Sequence, residues 1–305
     1  RGAATTPLVA PLTGHTGPVY DLSFNRTGTQ LASASGDRTV RVWARSGSSD
    51  YREVAVLRGF GNYVTSTDFH PTRQLLASSS GDGSVRMWDL TDAPNPRLAT
   101  TVSPGHGTVY MVRFAADGRT LAASSDDGTI TMYAVSPTGA IRETAVLRGH
   151  TAAARTLSFS PDGRVLASGG DDRTVRLWTT GESPQPLGGP LTGFPSITHA
   201  VAFSPDSRSL AITGDSPNTQ LWDVADPLAP RPLSTSLPNS TAGSWSIAFD
   251  GSGAQLASAR ADGLVRVWNT ANTASPISGR GTPAARARGW LARLCPVGAN
   301  RSISA

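Results

Sequence analysis

The amino-acid sequence predicts an all-β fold in which one short antiparallel unit is repeated six times. The first observation is that an aromatic residue ends a β-branched, apolar stretch at intervals of 45, 45, 45, 44 and 46 residues. These aromatic residues are Trp43, Trp88, Tyr133, Trp178, Trp222 and Trp268. The second is that turn residues (Gly, Asp, Ser and Pro) separate the stretches, which is typical of strands joined by tight turns. One such meander is unstable alone, so the units are expected to pack on one another.

The fourth unit, from Gly149 to Trp178, is the most complete copy. Its three predicted strands are residues 156–159, 165–168 and 174–178. The sequence Ser-Pro-Asp-Gly at 160–163 suits a type I turn, because Pro presets φ at the second position and Gly favours the fourth. The other copies vary: the second and fifth open with Gly-Phe rather than Gly-His, and the fifth has Ser216 where most copies have Asp.

A period near 45 residues, with Gly-His early and Trp late, is the repeat signature of propeller blades. On these residues the chain resembles the WD-repeat β-propeller family over about residues 7–270. The resemblance implies a β-propeller of six blades, each of four antiparallel strands, and leaves a seventh blade in the parent protein open. It also implies that an N-terminal strand closes the ring, so residues 8–12 are expected to pair with the strand ending at Trp268.

The chain divides into a propeller over residues 1–270 and an Arg-rich tail over residues 271–305. The tail has no acidic residue and contains Arg280, Arg286, Arg288, Arg293 and Arg301. It therefore accounts for the whole net charge of +5. Residues 283–295 are predicted to form a short helix. The tail is expected to be solvated or to pack on its own domain, while contact with an anionic surface or nucleic acid is the alternative.

The run at residues 290–295 is similar to tails that follow the last repeat in actinobacterial WD-repeat proteins. That resemblance, together with a first residue that is Arg1 rather than Met, implies a bacterial, C-terminal fragment of a longer protein. The absent N-terminal part is expected to carry a kinase or NTPase domain.

Composition excludes several classes of function. One cysteine cannot form an internal disulfide framework, and no apolar run approaches the roughly 20 residues of a membrane span. We therefore expect a cytoplasmic protein that does not enter a membrane. Outside the tail, basic and acidic residues balance, so the overall charge gives no indication that the propeller binds nucleic acid.

Aspartate is the residue that most invites a catalytic interpretation, but repeat position explains most of its occurrences. In the family, an Asp lies six residues before the terminal aromatic residue and accepts a hydrogen bond from the imidazole of the Gly-His pair. The imidazole is linked in turn to a Ser or Thr on a strand, and through it to the Trp. Two complete sets occur: His15, Ser33, Asp37, Trp43 and His150, Ser168, Asp172, Trp178. A Ser-His-Asp hydrolase triad is the alternative. Repetition in two blades and expected burial favour the architectural interpretation, so no catalytic residue is assigned.

No cofactor or metal site is predicted. Three of the five His belong to Gly-His pairs, a single Cys cannot build a Cys-rich site, and phosphate-binding loops are absent.

The candidate binding site lies on one face of the ring. By family geometry, the position four before the Phe of each first strand points to the rim of the narrow top face. The residues predicted to bind a partner there are Tyr20, Tyr63, Tyr110, Arg155, His199, Trp245, Asp126, Asp171 and Asp215. Tyr, Trp and Arg concentrate binding energy at interfaces. The alternative is that these aromatics only fill the channel mouth.

We therefore expect a non-enzymatic scaffold or sensor whose top face binds a protein or peptide of mixed or basic charge. An enzyme or small-ligand propeller that uses the channel mouth is the alternative.

Overall fold

The computed structural model is a β-propeller of six antiparallel blades. It describes residues 11–270 apart from 48–49, 106, 217, 234–236, 239–242 and 263, together with backbone strands at 282–283 and 302–303. Within this part of the chain no helix is present, and hence none has the length and hydropathy needed to span a membrane.

Each of the first three blades is built from four strands that are consecutive in the chain and pair in chain order. The first contains β1 (Val19–Phe24), β2 (Gln30–Ser35), β3 (Val40–Ser46) and β4 (Asp50–Leu57). The second contains β5 (Val64–Phe69), β6 (Leu75–Ser80), β7 (Val85–Asp89) and β8 (Arg97–Val102). The third contains β9 (Val109–Phe114), β10 (Thr120–Ser125), β11 (Ile130–Val135) and β12 (Ile141–Leu147).

The last three blades are less regular at their outer edges. The fourth contains β13 (Ala154–Phe159), β14 (Val165–Gly170) and β15 (Val175–Thr179). The fifth contains β16 (Thr198–Phe203), β17 (Ser209–Gly214), β18 (Asn218–Asp223), β19 (Arg231–Pro232) and β20 (Leu237–Pro238). The sixth contains β21 (Ser244–Phe249), β22 (Gln255–Arg260), β23 (Leu264–Asn269) and β24 (Thr282–Pro283). A last strand, β25 (Ser302–Ile303), pairs antiparallel with β1 of the first blade.

The hydrophobic core lies between neighbouring blades rather than inside any one of them. Five clusters of described core residues occur, and each cluster joins two consecutive blades. All six terminal aromatic residues are buried, from 1% exposed at Trp178 to 8% at Trp222. Each blade therefore buries its apolar faces only by stacking on its neighbours, as expected for a repeat architecture.

Four strands were expected in every blade, but the fourth blade has three. Only isolated bridges, Val175–Leu191 and Trp178–Pro186, occupy the place of its outer strand. This segment contains Pro184, Pro186 and Pro190, which lack the N–H that a sheet ladder needs. The outer edge of the fifth blade is described as two short strands, β19 and β20, and each of them ends in a proline.

The expected ring closure by residues 8–12 falls mostly outside the described residues, which begin at Pro11. Pro11 and Leu12 are not in a strand. Instead, β24 pairs with β23, the strand that contains Trp268. The helix predicted over residues 283–295 lies outside the described residues except for Pro283, which belongs to β24.

Candidate functional site

A β-bulge occurs at the same place in all six blades, near the start of the innermost strand. In the first blade, Val19 pairs with Ser35 and Asp21 with Ala34, so Tyr20 is an extra, unpaired residue. In the other five blades the same shift makes the extra residue Thr65, Tyr110, Arg155, His199 and Trp245, respectively. A bulge re-aims the side chain of its extra residue out of the pleated sheet.

These first strands contact one another in sequence from β1 to β21, and β25 contacts both β21 and β1, so the first strands line the central channel. The six bulge residues consequently occupy one end of that channel. We call them, together with Tyr63, Asp126, Asp171 and Asp215, the rim. The predicted site residues are thus brought to one end of the molecule, where they form three groups, each of which crosses at least one boundary between neighbouring blades.

The first group joins blades one and two and is aromatic. The rings of Tyr20 and Tyr63 pack edge to face, with centroids 5.8 Å apart. The Tyr63 hydroxyl lies 3.4 Å from the Thr108 hydroxyl of blade three. Thr65, the bulge residue of blade two, donates a hydrogen bond to the carbonyl of Val109 at 2.6 Å. Tyr20 remains 38% exposed, so this group presents an aromatic surface to solvent.

The second group joins blades three and four and is charged. The Tyr110 hydroxyl donates to Asp126 Oδ1 at 2.7 Å, and the Arg155 guanidinium lies over the Tyr110 ring, 4.3 Å from its centroid. Arg155 also donates two hydrogen bonds to Asp171, at 2.7 and 2.6 Å. Burial and the bond to Asp126 raise the pKa of Tyr110 to about 12, so its hydroxyl remains a donor at neutral pH. The bond to Asp171 raises the pKa of Arg155.

The third group joins blades five and six. His199 Nε2 lies 2.8 Å from Asp215 Oδ1, and the His199 ring stacks on Trp245 with centroids 4.3 Å apart. The Trp245 ring is 48% exposed and the Asp215 side chain 54% exposed. This group therefore offers an accessible aromatic face beside an accessible carboxylate.

The two complete Gly-His sets form buried hydrogen-bond chains. In blade one, His15 Nδ1 lies 2.8 Å from Asp37 and its Nε2 lies 2.7 Å from Ser33 Oγ, which accepts from Trp43 Nε1 at 3.0 Å. In blade four, His150, Asp172, Ser168 and Trp178 repeat these contacts at 2.8–3.1 Å. A neutral imidazole protonated on Nδ1 satisfies every donor and acceptor in such a chain.

The electrostatics of these chains agree with an architectural role. Burial would raise the pKa of Asp37, but hydrogen bonds from Thr39, His15 and the Thr16 N–H outweigh it and lower the pKa to about 2. Burial lowers the pKa of His150, although the negative charge of Asp172 acts in the opposite direction. The connectivity is that of a hydrolase triad, but Ser168 is fully buried and its hydroxyl also accepts from Trp178. A substrate has no access to it.

Where Phe replaces the His of Gly-His, stacking replaces the hydrogen-bond chain. Phe60 packs on Trp88 with centroids 5.9 Å apart, and the Arg86 guanidinium lies 4.4 Å from the Phe60 centroid. Phe194 packs on Trp222 in the same way, at 6.0 Å. These copies retain their buried aromatic anchor without the imidazole.

Sequence reasoning missed a buried charged cluster on the innermost strands of blades one to three. Arg113 donates to Asp21 Oδ2 at 3.3 Å and to Ser66 at 2.8 Å, and Ser66 also donates to Asp21, at 2.7 Å. Asp68 accepts from the Phe114 N–H at 2.8 Å. Burial raises the pKa of Asp68 to about 7, although the charge of Arg113 acts in the opposite direction. The available signal was the presence of charged residues in otherwise apolar strands.

The described part of the chain contains no group of three or more His, Cys, Asp or Glu side chains arranged to hold a metal ion. The rim combines hydrogen-bond donors, carboxylates and aromatic faces, which are groups suited to recognising another polypeptide.

The sequence profile of the family described as "WD domain, G-beta repeat" matches residues 6–44, 51–89, 97–133, 141–179 and 231–269, which is more than half of the chain. The repeat ending at Trp222 is outside these matches, in agreement with its altered sequence.

Similar curated proteins share about one repeat with this chain. A "Periodic tryptophan protein 2 homolog" of Schizosaccharomyces pombe is 54% identical over 46 residues, which cover 14% of this chain and 5% of that protein. "Periodic tryptophan protein 2" of Saccharomyces cerevisiae is 47% identical over 49 residues (16% of this chain, 5% of that protein). "Nucleoporin SEH1-A" of Xenopus laevis is 41% identical over 54 residues (18% of this chain, 15% of that protein). The matched stretch spans less than a fifth of the length of each relative.

Proposed function

Because the chain belongs to the WD40 repeat family, we propose that it is a non-catalytic scaffold or sensor module whose rim binds a protein or peptide. WD40 propellers are typical protein-interaction scaffolds, and this chain has the fold and the repeats of that family.

The observation that carries the proposal is the set of six equivalent β-bulges. A bulge interrupts the sheet ladder, so its repetition at one end of every innermost strand indicates a purpose beyond strand pairing. Four of the six bulge residues are Tyr, Trp or Arg, the residue types that dominate binding energy at interfaces. Tyr20 and Trp245 are more than one-third exposed, whereas the six strand-terminal aromatics are buried.

The charge of the rim indicates the chemistry of the partner. Asp126, Asp171 and Asp215 contribute three carboxylates, of which Asp171 is neutralised by the ion pair with Arg155. Asp126 and Asp215 accept hydrogen bonds within the rim and are exposed to solvent. A segment with basic or mixed charge would complement this surface.

The finer expectations from the sequence belong to the same proposal. They are a cytoplasmic location, a bacterial source of actinobacterial type, and an N-terminal kinase or NTPase domain in the parent protein. Determination of the upstream coding sequence tests the last of these directly.

Affinity capture from a cell lysate tests the role of the rim. The bait proteins are the wild type, the variant Tyr110→Ala/Trp245→Ala, and the control variant Leu228→Ser, which alters an exposed apolar residue in a linker. We expect proteins that the wild type and the control retain and that the rim variant loses. If all three baits retain the same proteins in the same amounts, the rim is not the binding surface.

A further inference from the structure

A second candidate surface lies between blades two and three, at the end of the blades opposite the rim. It is a groove of about 760 Å³. Arg73 lies in the turn after the far end of β5 and Leu75 begins β6, whereas the bulge residue Thr65 lies near the start of β5. The other side of the groove is the β11–β12 turn of the next blade, at Pro137, Thr138 and Ala140.

One wall of the groove is the edge strand β8. This strand ends the sheet order of blade two, so within the described structure its outer side has no sheet partner. Thr100 donates to the carbonyl of Gly139 in the next blade at 3.2 Å, which leaves Arg97, Leu98 and Ala99 facing the groove. An edge strand with unpaired N–H and C=O groups is a template for another extended chain.

The edge of β8 differs in charge from the edges of the neighbouring blades. The outer strand β4 carries Asp50, Arg52 and Glu53, and β12 carries both Arg142 and Glu143. Mixed charges of this kind discourage pairing with another strand. In β8 the only charged residue is Arg97, and the next residue, Leu98, is 49% exposed.

The groove has a net positive charge. The Arg97 side chain is 80% exposed, and its guanidinium lies 3.2 Å from the Asp89 carboxylate. Hydrogen bonds from Thr91 lower the pKa of Asp89, so this carboxylate is ionised at neutral pH. Arg73, in the turn that precedes β6, is also exposed and has no ion-pair partner among the described residues. Because the groove contains two guanidinium groups and one carboxylate, its charge favours an acidic ligand.

We propose that this groove binds an extended segment of a partner protein that carries acidic side chains next to a leucine-like residue. The segment adds to the free edge of β8, its acidic side chains pair with Arg73 and Arg97, and its apolar side chain packs on Leu98 and Pro137. The Arg-rich tail of this chain is a poor occupant, because its five Arg and no acid would be repelled. The groove is independent of the rim.

Two synthetic octapeptides with a neutral fluorophore test this inference on the full chain by fluorescence anisotropy. Both have the same Leu and Ser framework; one carries two Asp and the other has Lys at those positions. We expect the Asp peptide to bind at least about tenfold more tightly than the Lys peptide. Equal binding of the two peptides, or no saturable binding of the Asp peptide up to about 1 mM, overturns the proposal.

Amino-acid substitutions in the groove test whether the Asp peptide binds there. Arg73→Gln/Arg97→Gln and Leu98→Ser should each weaken binding of the Asp peptide by about tenfold. The matched control Arg142→Gln removes an exposed Arg from the edge strand of blade three, and Tyr110→Ala alters the rim; both should bind as the wild type does. Binding that the groove variants leave unchanged contradicts the proposal. A dimer in sedimentation that Leu98→Ser abolishes would assign the groove to a second copy of the chain, and would also contradict it.

Discussion

The guanidinium of Arg155 lies 4.3 Å from the centre of the Tyr110 ring and joins blade four to blade three at the channel mouth. Both residues are the extra residues of β-bulges. The relationship shows how the rim is made: the bulges aim side chains from separate blades at one place, where they meet across a blade boundary. The surface therefore depends on the ring, and a single blade could not present it.

Substitution of Asp37 tests the architectural role of the Gly-His chains. Asp37 accepts hydrogen bonds from His15, the Thr16 N–H and Thr39. We expect Asp37→Ala to lower the free energy of unfolding by about 2–3 kcal/mol, because buried donors lose a charged acceptor. Urea denaturation measures the loss. The control is Asp117→Ala, at an exposed turn residue that accepts from the Arg119 N–H at 2.8 Å; an equally large loss there would contradict the assignment.

Two buried serines provide a matched comparison. The Ser168 hydroxyl contacts both His150 Nε2 and Trp178 Nε1, whereas the equally buried Ser124 hydroxyl has no hydrogen-bond partner among the described residues. Ser168→Ala should lower the free energy of unfolding by about 2 kcal/mol, since it leaves two buried polar groups unsatisfied. Ser124→Ala should be neutral or stabilising. Thermal denaturation of both variants measures these changes. Equal losses of stability in Ser168→Ala and Ser124→Ala would contradict the role assigned to the Ser168 hydroxyl.

Asp68 should make stability depend on pH. Burial raises its pKa from 3.8 to about 7, so between about pH 4 and pH 7 the folded chain holds a proton that the unfolded chain has lost. Its contribution to the free energy of unfolding therefore falls as the pH rises through this window and is constant above it. Asp68→Asn removes that slope while it retains the shape and hydrogen-bonding capacity of the side chain.

The measurement is the free energy of unfolding of the wild type and of Asp68→Asn across this range. Relative to the wild type, the variant should gain at most about 1.4 kcal/mol for each pH unit between about 4 and 7. Groups shared by both proteins, such as His150, cancel in the difference. Parallel curves would show that Asp68 is ionised in the folded chain throughout.

Much of the fold could be predicted from the period of the terminal aromatics, because Trp43 and its equivalents occupy the same packing position in every blade. Residue spacing also grouped the rim positions, and the structure brings these residues to one end of the channel. The β-bulges could not be predicted, since a bulge depends on register with the neighbouring strand, and Tyr20 in sequence is like any strand residue.

The remaining differences come from contacts between blades. Asp21 and Arg113 are 92 residues apart in sequence, and nothing local indicates that they share an ion pair. The prolines near Pro186 were visible in the sequence, but their effect on the outer strand of blade four depended on which N–H groups the ladder needs. The groove at Leu98 similarly needs two blades to form.

Site-specific photo-crosslinking tests the central claim, that the rim is the surface that holds the partner. p-Benzoylphenylalanine replaces Trp245 on the rim in one protein and Leu228 in a linker in the other, and each is irradiated in lysate or with a captured partner. Adducts should form from position 245, should be absent from position 228, and should disappear when Tyr110→Ala is added. Adducts from position 228 alone, or adducts from 245 that Tyr110→Ala leaves unchanged, would contradict the account.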